Sequence, residues 1–270
     1  MPTLTVQPRA RLFHGHLWVY ATEIQKRFGD PKPGDVVHLQ DVRGKPLGSA
    51  IYNPVSQISA RLFSYRRQDL DLDFFTRRIQ RAIKVRESSG VDLNLCRIVW
   101  SESDGLPGLI VDRYGDFLVV QTLTLAMDLR KELIIQALND VLKPRGIVER
   151  NEGAVRKAEG MEQIKGVISG EMPEPFVVRY QGSAFHADLL EGQKTGLYLD
   201  QLDNYQLVSA LAKGRRVLDC FSNQGGFAQA CALAGASEVT AVDISEQATE
   251  VAKQNAAIAG VQINCVAENC

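Results

Sequence analysis

Short apolar segments alternate regularly with short polar segments over the first quarter of the chain. Runs of β-favouring residues separated by turns rich in glycine and proline predict strands at 17–24, 35–42, 46–53 and 57–64. Strands at this spacing are typical of a small β-barrel. Apolar residues at helical spacing between 72 and 83 then predict an amphipathic helix.

The middle of the chain mixes the two patterns. It predicts strands and one amphipathic helix in the order strand 97–100, strand 108–114, strand 116–123, helix 127–142 and strand 146–151. The charged, glycine-rich stretch 152–175 is predicted to be a linker or mobile loop. Together these elements predict a small α+β domain over 70–175.

The last third has the pattern of a doubly wound unit. A hairpin is expected around Gln181-Gly182, and the following elements are predicted as strand 215–221, helix 226–235, strand 238–244, helix 246–259 and strand 262–267. Parallel strands joined by right-handed helical crossovers give the spatial order 3-2-1. The fold class predicted is multidomain α/β, with an N-terminal β-barrel over 1–69, an α+β domain over 70–175 and a partial Rossmann-like domain over 176–270.

Composition narrows the function only slightly. The chain has 270 residues, 23% of them charged, and a formal net charge of −1, so a nucleic-acid surface would have to be local. Five cysteines with no C-x-x-C spacing predict reduced thiols and a cytoplasmic location, and Cys220 is expected to be packed. We expect no metal and no membrane partner.

The stretch VLDCFSNQGGF carries the clearest chemistry. Asp219 ends a predicted strand, Gly225 and Gly226 form the turn, and Asp243 ends the next strand. Glycines let the backbone approach a ligand, and the following helix presents free amide hydrogens. An acid ahead of the turn would repel a pyrophosphate but suits the amine of S-adenosylmethionine. Asp243 is placed to accept hydrogen bonds from ribose hydroxyls.

Basic residues cluster between Arg66 and Arg86, where the polar face of the predicted helix is cationic. Such a face next to a small barrel suits contact with a phosphate backbone, and it is equally consistent with an ordinary solvated helix. Composition alone favours Trp18 as a core residue of the barrel.

The chain resembles the bacterial large-subunit rRNA 5-methylcytosine methyltransferases. The matching stretches, in order, are GHLWVYATEI, LGSAIYNPVSQISAR, SESDGLPGLIVDRYGDFLVVQ, RNEGAVRKAEGM, LLEGQKTGLYLDQ, VLDCFSNQGGF and AVDIS. The resemblance implies an RNA-binding PUA domain, a central α/β domain and a class I methyltransferase domain. It further implies S-adenosylmethionine as cofactor and large-subunit rRNA as substrate, with methyl transfer to C5 of a cytosine.

The resemblance also assigns site residues. The cofactor contacts that it implies are Asp219, Phe221, Asn223, Gly225, Gly226, Asp243, Ile244, Asn269, Lys194, Tyr198, Asp200 and Gln201. With the barrel assigned to RNA, the expected RNA contacts are Arg11, His16, Trp18, Tyr52, Arg61, Arg77, Arg78 and Arg81. Relatives more often have tyrosine and threonine at the positions of Asn223 and Gln224, which is expected to weaken or reorient cofactor contacts.

A class I methyltransferase sheet has seven strands, and this sequence contains the first three. Because 5-methylcytosine chemistry needs a thiolate that adds to C6, the catalytic cysteines are expected beyond Cys270. The chain is therefore predicted to be truncated and inactive, with strand 215–221 as an exposed edge that favours self-association. Two alternatives stay open: a guanine-N2 rRNA methyltransferase, and a non-catalytic RNA-binding module.

Overall fold

The structure is a computed structural model that describes residues 2–7, 12, 14–172, 174–192 and 194–269. The chain divides into two compact units, Met1–Met172 and Pro173–Cys270. Among the described residues, no helix has both the length and the apolar character needed to cross a bilayer.

The N-terminal unit begins with a six-stranded mixed sheet. Its strands are β1 (Thr3–Val6), β2 (Trp18–Val19), β3 (Ile24–Phe28), β4 (Val36–Asp41), β5 (Pro46–Tyr52) and β6 (Ala60–Ser64). Their spatial order is β2-β6-β5-β4-β1-β3, with β1 parallel to β4 and the other neighbours antiparallel. The predicted strand 17–24 is interrupted by a 3-10 turn at Ala21–Glu23, where the Glu23 carboxylate accepts a hydrogen bond from the Tyr20 amide.

Helices and a second sheet follow in this unit. The helices are α1 (Leu72–Ser88), α2 (Leu125–Asp128), α3 (Lys131–Leu142) and α4 (Ala154–Ala158). The strands are β7 (Leu95–Trp100), β8 (Leu109–Tyr114), β9 (Phe117–Thr122), β10 (Gly146–Asn151) and β11 (Ile164–Gly170), in the order β11-β10-β9-β8-β7. Helix α1 begins at Asp71, whose carboxylate accepts a hydrogen bond from the Phe74 amide (2.8 Å).

The two sheets share a hydrophobic core. Ile51 and Phe63 of the first sheet belong to the same buried cluster as Phe74 of α1 and Leu109 of β8. Phe63 and Phe74 pack edge to face with ring centroids 5.3 Å apart. The expected boundary between residues 69 and 70 therefore lies inside one compact unit.

The prediction of a linker or mobile loop over 152–175 is wrong for most of the segment. Helix α4 occupies its first part, and β11 pairs antiparallel with β10 along its whole length. Arg156 of α4 is 3% exposed and donates hydrogen bonds to the Thr122 carbonyl (2.7 Å) and the Asp128 carboxylate (2.8 Å). Because β11 is a half-exposed edge strand, its sequence contains no continuous apolar run that would indicate a strand.

The C-terminal unit contains the predicted hairpin and doubly wound elements. They are β12 (Phe176–Tyr180), β13 (Ser183–Ala187), α5 (Leu202–Ser209), β14 (Arg216–Cys220), α6 (Gly226–Leu233), β15 (Glu238–Asp243), α7 (Glu246–Ala259) and β16 (Asn264–Ala267). Gln181 and Gly182 both have positive φ, as a two-residue hairpin turn requires. Ser245 caps α7 by accepting a hydrogen bond from the Ala248 amide (3.2 Å).

The parallel sheet of this unit has the order β14-β15-β16, as predicted, so β14 is an edge among the described strands. One face of β14 is open, since Leu218 is 66% exposed and Cys220 is also exposed. The prediction of a packed Cys220 thiol is therefore wrong. The alternation of side chains placed Cys220 on the face opposite Asp219, and the described residues do not cover that face.

Candidate functional site

The carboxyl ends of β14 and β15 meet the amino end of α6, as the strand and turn pattern predicts. Asp219 lies one residue before the end of β14, and its carboxylate accepts a hydrogen bond from the Ala228 amide in the first turn of α6 (3.1 Å). Asp243 is the last residue of β15. The two acids therefore lie at the edge of the sheet where open α/β folds bind their ligands.

The turn between β14 and α6 has an unusual backbone. Phe221 (φ 58°) and Asn223 (φ 48°) lie in the left-handed region together with Gly225 (φ 74°). The Ser222 amide donates to the Val242 carbonyl (3.0 Å), which fixes the start of the turn to the neighbouring strand. Left-handed non-glycine residues are costly and tend to occur at functional sites. The turn is thus held in one shape by hydrogen bonds to the sheet.

Asp243 organises this turn directly. Its Oδ2 accepts a hydrogen bond from the Asn223 amide (2.8 Å), and its Oδ1 accepts one from the Ser245 amide (3.0 Å). A carboxylate offers about four acceptor positions, so two remain for a pair of ligand hydroxyls. The structure therefore allows the ribose-binding role expected of this residue.

Asp219 has the electrostatics of a site for a cationic group. Burial raises its pKa to about 6, the Ala228 amide lowers it in part, and the nearby charge of Asp243 raises it again. A ligand ammonium group would compensate for both the desolvation and the repulsion. A buried acid whose charge is disfavoured in this way matches an amine-bearing nucleoside better than a phosphate.

A cleft of about 400 Å³, open to solvent, lies beside the turn. Its walls come from β13, the segment before α5, α5 itself and the glycine turn, and the lining residues are Phe185, Gly196, Leu197, Tyr198, Leu202, Tyr205, Ser222, Asn223, Gln224 and Gly226. A Cβ atom at position 226 would come within 2.3 Å of the Tyr205 ring, so only glycine allows this approach.

Two polar atoms in the cleft wall fit a polar ligand. Ser222 Oγ and Gln224 Oε1 are buried and have no hydrogen-bond partner among the described residues. Unsatisfied buried polar atoms are rare and call for an explanation such as a ligand or an ordered water. Together with the aromatic walls and the adjacent acids, they match the polar amino-acid part and the flat adenine ring of S-adenosylmethionine.

The segment before α5 brings three of the predicted residues together. The Lys194 ammonium lies 4.1 Å from the centroid of the Tyr198 ring and 3.0 Å from Asp200 Oδ1. Burial alone would raise the pKa of Asp200, but hydrogen bonds from Lys194 and the backbone lower it. The side-chain oxygen Oε1 of Gln201 accepts a hydrogen bond from the side-chain amide of Asn204 (3.1 Å). Of these residues, Tyr198 lines the cleft.

The remaining predicted cofactor residues lie outside the cleft wall. Phe221 and Ile244 are 75% and 73% exposed, and they follow the ends of β14 and β15. Asn269 is exposed beyond β16. The structure thus places Tyr198, Asn223 and Gly226 in the cleft, with the two acids next to it.

The aromatic half of the cleft was not predicted from the sequence. The Tyr205 ring stacks on Phe185 (centroids 6.0 Å apart) and packs edge-on against Phe227 (4.7 Å). Burial raises the pKa of Tyr205 to about 12, and the charge of Asp219 adds to the shift. These aromatics lie on separate elements, so only the glycine at 226, which requires a close neighbour, could have indicated them.

Most of the predicted RNA contacts have internal roles in the N-terminal unit. Tyr52 is 2% exposed, so its ring is not available to stack on a base. Trp18 and Arg61 are cross-strand neighbours, and both donate to Glu102 Oε1 (2.8 Å each). His16 packs edge-on against Trp18, with centroids 5.4 Å apart.

The arginines of α1 differ in their surroundings. Arg78 donates to the Phe63 carbonyl (3.0 Å) and lies over the Phe74 ring, while burial and then the charges of Arg81 and Arg77 lower its pKa. Arg77 and Arg81 are exposed, and Arg77 pairs with Asp73 one helical turn away. Arg11 lies outside the described residues.

Two family models match the chain. The model of a PUA-like domain matches residues 3–65, and the model of an S-adenosylmethionine-dependent methyltransferase matches residues 158–268. The chain therefore combines a PUA-like N-terminal domain with a Rossmann-like domain of the S-adenosylmethionine-dependent methyltransferases, whose cofactor is the one predicted from the acid and glycine pattern.

Curated relatives match most of the chain. The chain is 41% identical over 257 residues to ribosomal RNA large subunit methyltransferase I of Aeromonas salmonicida (94% of this chain, 65% of the relative). It is 37% identical over 248 residues to the Escherichia coli protein of the same name (90% and 63%). The chain thus spans slightly less than two thirds of these relatives' length.

Two solved structures share the fold. One is described as a SAM-dependent methyltransferase from Streptococcus mutans (TM-score 0.81, 21% identity, 100% of this chain and 71% of that chain). The other is described as a methyltransferase complexed with S-adenosylhomocysteine (TM-score 0.83, 22% identity, 100% and 70%).

Proposed function

We propose that this chain binds S-adenosylmethionine as part of a methyltransferase that modifies large-subunit rRNA. The observation that carries the proposal is the pairing of Asp219 and Asp243 around a glycine turn whose wall contains unsatisfied polar atoms. The rRNA substrate is supported by the names of the relatives and by the PUA-like domain. A cytoplasmic location would follow from such a substrate.

When bound, the cofactor would supply the methyl group. Asp219 would hold its ammonium group, Asp243 its ribose hydroxyls, and Tyr198 with Tyr205 would exclude water from the cleft. Three residues that are exposed at the strand ends would cover the nucleoside: Phe221, Ile244 and Asn269. The ion pair of Lys194 with Asp200, together with Gln201, would border the entrance of the cleft.

We infer C5 of a cytosine as the methylated atom, a step that needs a thiolate as nucleophile. None of the described cysteines lines the cleft: Cys96 belongs to the N-terminal unit and Cys231 is buried in α6. Burial raises the pKa of Cys96 to about 11, which disfavours its thiolate. We therefore propose that the residues of the cleft supply cofactor binding. We also propose that the chain alone does not methylate RNA.

Calorimetric titration with S-adenosylhomocysteine tests cofactor binding. Asp243→Ala removes acceptors for the ribose and should weaken binding at least about tenfold, because hydrogen bonds to charged groups contribute about 1.5–3 kcal/mol. Glu250→Ala is the matched control, since Glu250 is an exposed carboxylate on α7. Because Asp243 also holds the turn, unfolding of each variant is measured alongside. Unchanged affinity in a folded Asp243→Ala variant would reject the proposed site.

A methylation assay on large-subunit rRNA addresses the reaction. We expect this chain to bind S-adenosylhomocysteine without forming 5-methylcytosine. Formation of N2-methylguanine would support the guanine alternative, and absence of cofactor binding would support a non-catalytic RNA-binding module.

We also propose self-association through β14. Its outer edge has no paired strand among the described residues, and Leu218 of the strand is 66% exposed. Unpaired apolar edges readily pair with other chains. Analytical ultracentrifugation should show concentration-dependent dimers that Leu218→Lys reduces, and a monomer at every concentration would contradict the proposal.

A further inference from the structure

Trp100 is a large aromatic residue that the N-terminal unit leaves accessible. It is the last residue of β7, the edge strand of the five-stranded sheet, and 50% of its surface is exposed. Exposing half of an indole ring gives up the burial that usually stabilises such a residue. Trp100 is therefore available to contact a ligand.

A β-bulge brings a cation onto the ring. The pairing of β7 with β8 shifts register between Arg97 and Val99. In a regular strand, residues three apart face opposite sides of the sheet, and a bulge reverses that relation. The Arg97 guanidinium carbon consequently lies 4.3 Å from the centroid of the Trp100 ring. One side of the indole is therefore covered by a planar cation.

Both partners are held in place by carboxylates, of which one is fully buried and the other partly buried. Arg97 donates two hydrogen bonds to Asp112, which is fully buried (2.7 and 2.9 Å). The Trp100 amide donates to Asp104 Oδ2 (2.6 Å), and Arg86 binds both oxygens of the same carboxylate (2.5 and 2.8 Å). The accessible ring is thus preorganised and would lose little conformational entropy on binding.

Arginines of α1 lie near the segment that follows Trp100. Arg78 and Arg86 of α1 both contact the segment 101–105 that follows Trp100. Arg81 lies between them along the helix, and both it and Arg77 are exposed. Trp18 and Arg61 of the first sheet bind Glu102 in the same segment. Three of the predicted RNA contacts, Trp18, Arg61 and Arg78, therefore meet at the segment that follows Trp100.

We propose that Trp100 stacks on an unpaired RNA base, with Arg97 behind the ring and Arg77 and Arg81 near the adjacent phosphates. Unpaired bases in RNA are commonly recognised by stacking on aromatic side chains, and nearby cations follow the backbone. This proposal rests on the proposed RNA substrate, to which it adds a contact residue and the single-stranded character of the bound nucleotide.

Fluorescence isolates the ring, because the sequence contains only two tryptophans. In Trp18→Phe, Trp100 is the sole indole. We expect a short single-stranded oligocytidine RNA to quench its emission, and heparin, a polyanion without bases, to leave the emission unchanged at the same ionic strength. Equal quenching by heparin would show a response to charge and would overturn stacking.

Binding measurements in the otherwise unchanged chain provide an independent test. Trp100→Leu keeps an apolar side chain but removes the ring, and it should weaken oligocytidine binding by about 5- to 100-fold, the range expected for loss of one stacked base. Heparin binding should remain unchanged. Arg81→Gln is the matched control and should weaken both ligands. Thermal unfolding verifies that each variant is folded.

The outcomes separate the two proposals. Wild-type affinity of folded Trp100→Leu for oligocytidine would overturn the stacking role and leave the proposed RNA substrate intact. If the unsubstituted chain bound neither oligocytidine nor large-subunit rRNA, the proposed substrate would fail together with the stacking role.

Discussion

Gly226→Ala measures how tightly the cleft wall packs against the glycine turn. A Cβ atom at position 226 would lie 2.3 Å from Tyr205 Cζ and 2.7 Å from its Cε2 and Oη. The ring cannot move freely, because Phe185 stacks on it and Phe227 packs against it edge-on. Gly226 has no positive φ, so the cost of alanine comes from this contact and not from the backbone.

The size of the effect follows from the overlap. Non-bonded carbon atoms lie about 3.5–4.0 Å apart, so the Tyr205 ring would have to retreat by roughly 1 Å or more. Overpacking of this kind costs about 1–3 kcal/mol. We expect Gly226→Ala to lower the free energy of unfolding by about 2 kcal/mol. Because the displaced ring lines the cleft, affinity for S-adenosylhomocysteine should fall as well.

Urea unfolding followed by circular dichroism gives the free energy, and a double-mutant cycle assigns its origin. Tyr205→Leu removes Cε2, Cζ and Oη, the three atoms in conflict. In that background Gly226→Ala should cost about 1–2 kcal/mol less than in the wild type. Gly225→Ala is the control: its φ of 74° makes alanine unfavourable by about 1–2 kcal/mol, and Tyr205→Leu should not relieve that cost.

Equal destabilisation by Gly226→Ala in both backgrounds would refute the reasoning. It would mean that the cost arises within the helix or the turn and that Tyr205 does not set the shape of the cleft. Relief of Gly225→Ala by Tyr205→Leu would refute the separation of the two glycine roles.

Three further predictions concern other parts of the chain. Because burial raises the pKa of Asp219 from 3.8 to about 6, the folded state binds this proton more tightly than the unfolded state. The contribution of Asp219 to the free energy of unfolding should therefore fall as pH rises from about 4 to 6. Urea unfolding at pH 4.5 and 7 should show this decline in the wild type and not in Asp219→Asn. Iodoacetamide should alkylate exposed Cys220 well before buried Cys96, as peptide mass spectrometry would show; equal rates would contradict the exposed face of β14. Gly48→Ala should destabilise the chain by at least about 1 kcal/mol more than Gly44→Ala. A Cβ atom at position 48 would lie 2.1 Å from the Ser64 carbonyl oxygen, whereas nothing lies within 4 Å of a Cβ atom at position 44. Equal loss of stability in thermal unfolding of the two variants would contradict this prediction.

Local sequence patterns were sufficient for the doubly wound elements. Helix α7 occupies the predicted range 246–259 because both of its ends are set locally: Ser245 caps the amino end, and Gly260, with φ 74°, ends the helix directly after Ala259. The order of β14, β15 and β16 follows from the handedness of two short crossovers. In each case the deciding interactions join residues that are close along the chain.

Features that depend on distant neighbours were not predictable in this way. Strand β11 is defined by its pairing with β10, since two glycines, a lysine and a serine interrupt its apolar residues and none of its residues is buried. The exposure of Cys220 depends on whether another layer covers β14. The aromatic wall at Tyr205 combines residues from a hairpin and two helices, and no spacing in the sequence records that assembly.

Burial separates the arginines of the N-terminal unit into two groups that the sequence cannot distinguish. Arg61 and Arg86 form hydrogen bonds to the partly buried carboxylates of Glu102 and Asp104, and breaking such a pair leaves an uncompensated charge at a cost of several kcal/mol. These arginines cannot readily neutralise a phosphate. Fewer cations than the composition suggests are therefore available for RNA, which leaves a larger share of the affinity to contacts that do not depend on charge. The stacking role proposed for Trp100 meets that need, and the pair of Arg86 with Asp104, which is withdrawn from phosphate binding, also holds the Trp100 backbone in place.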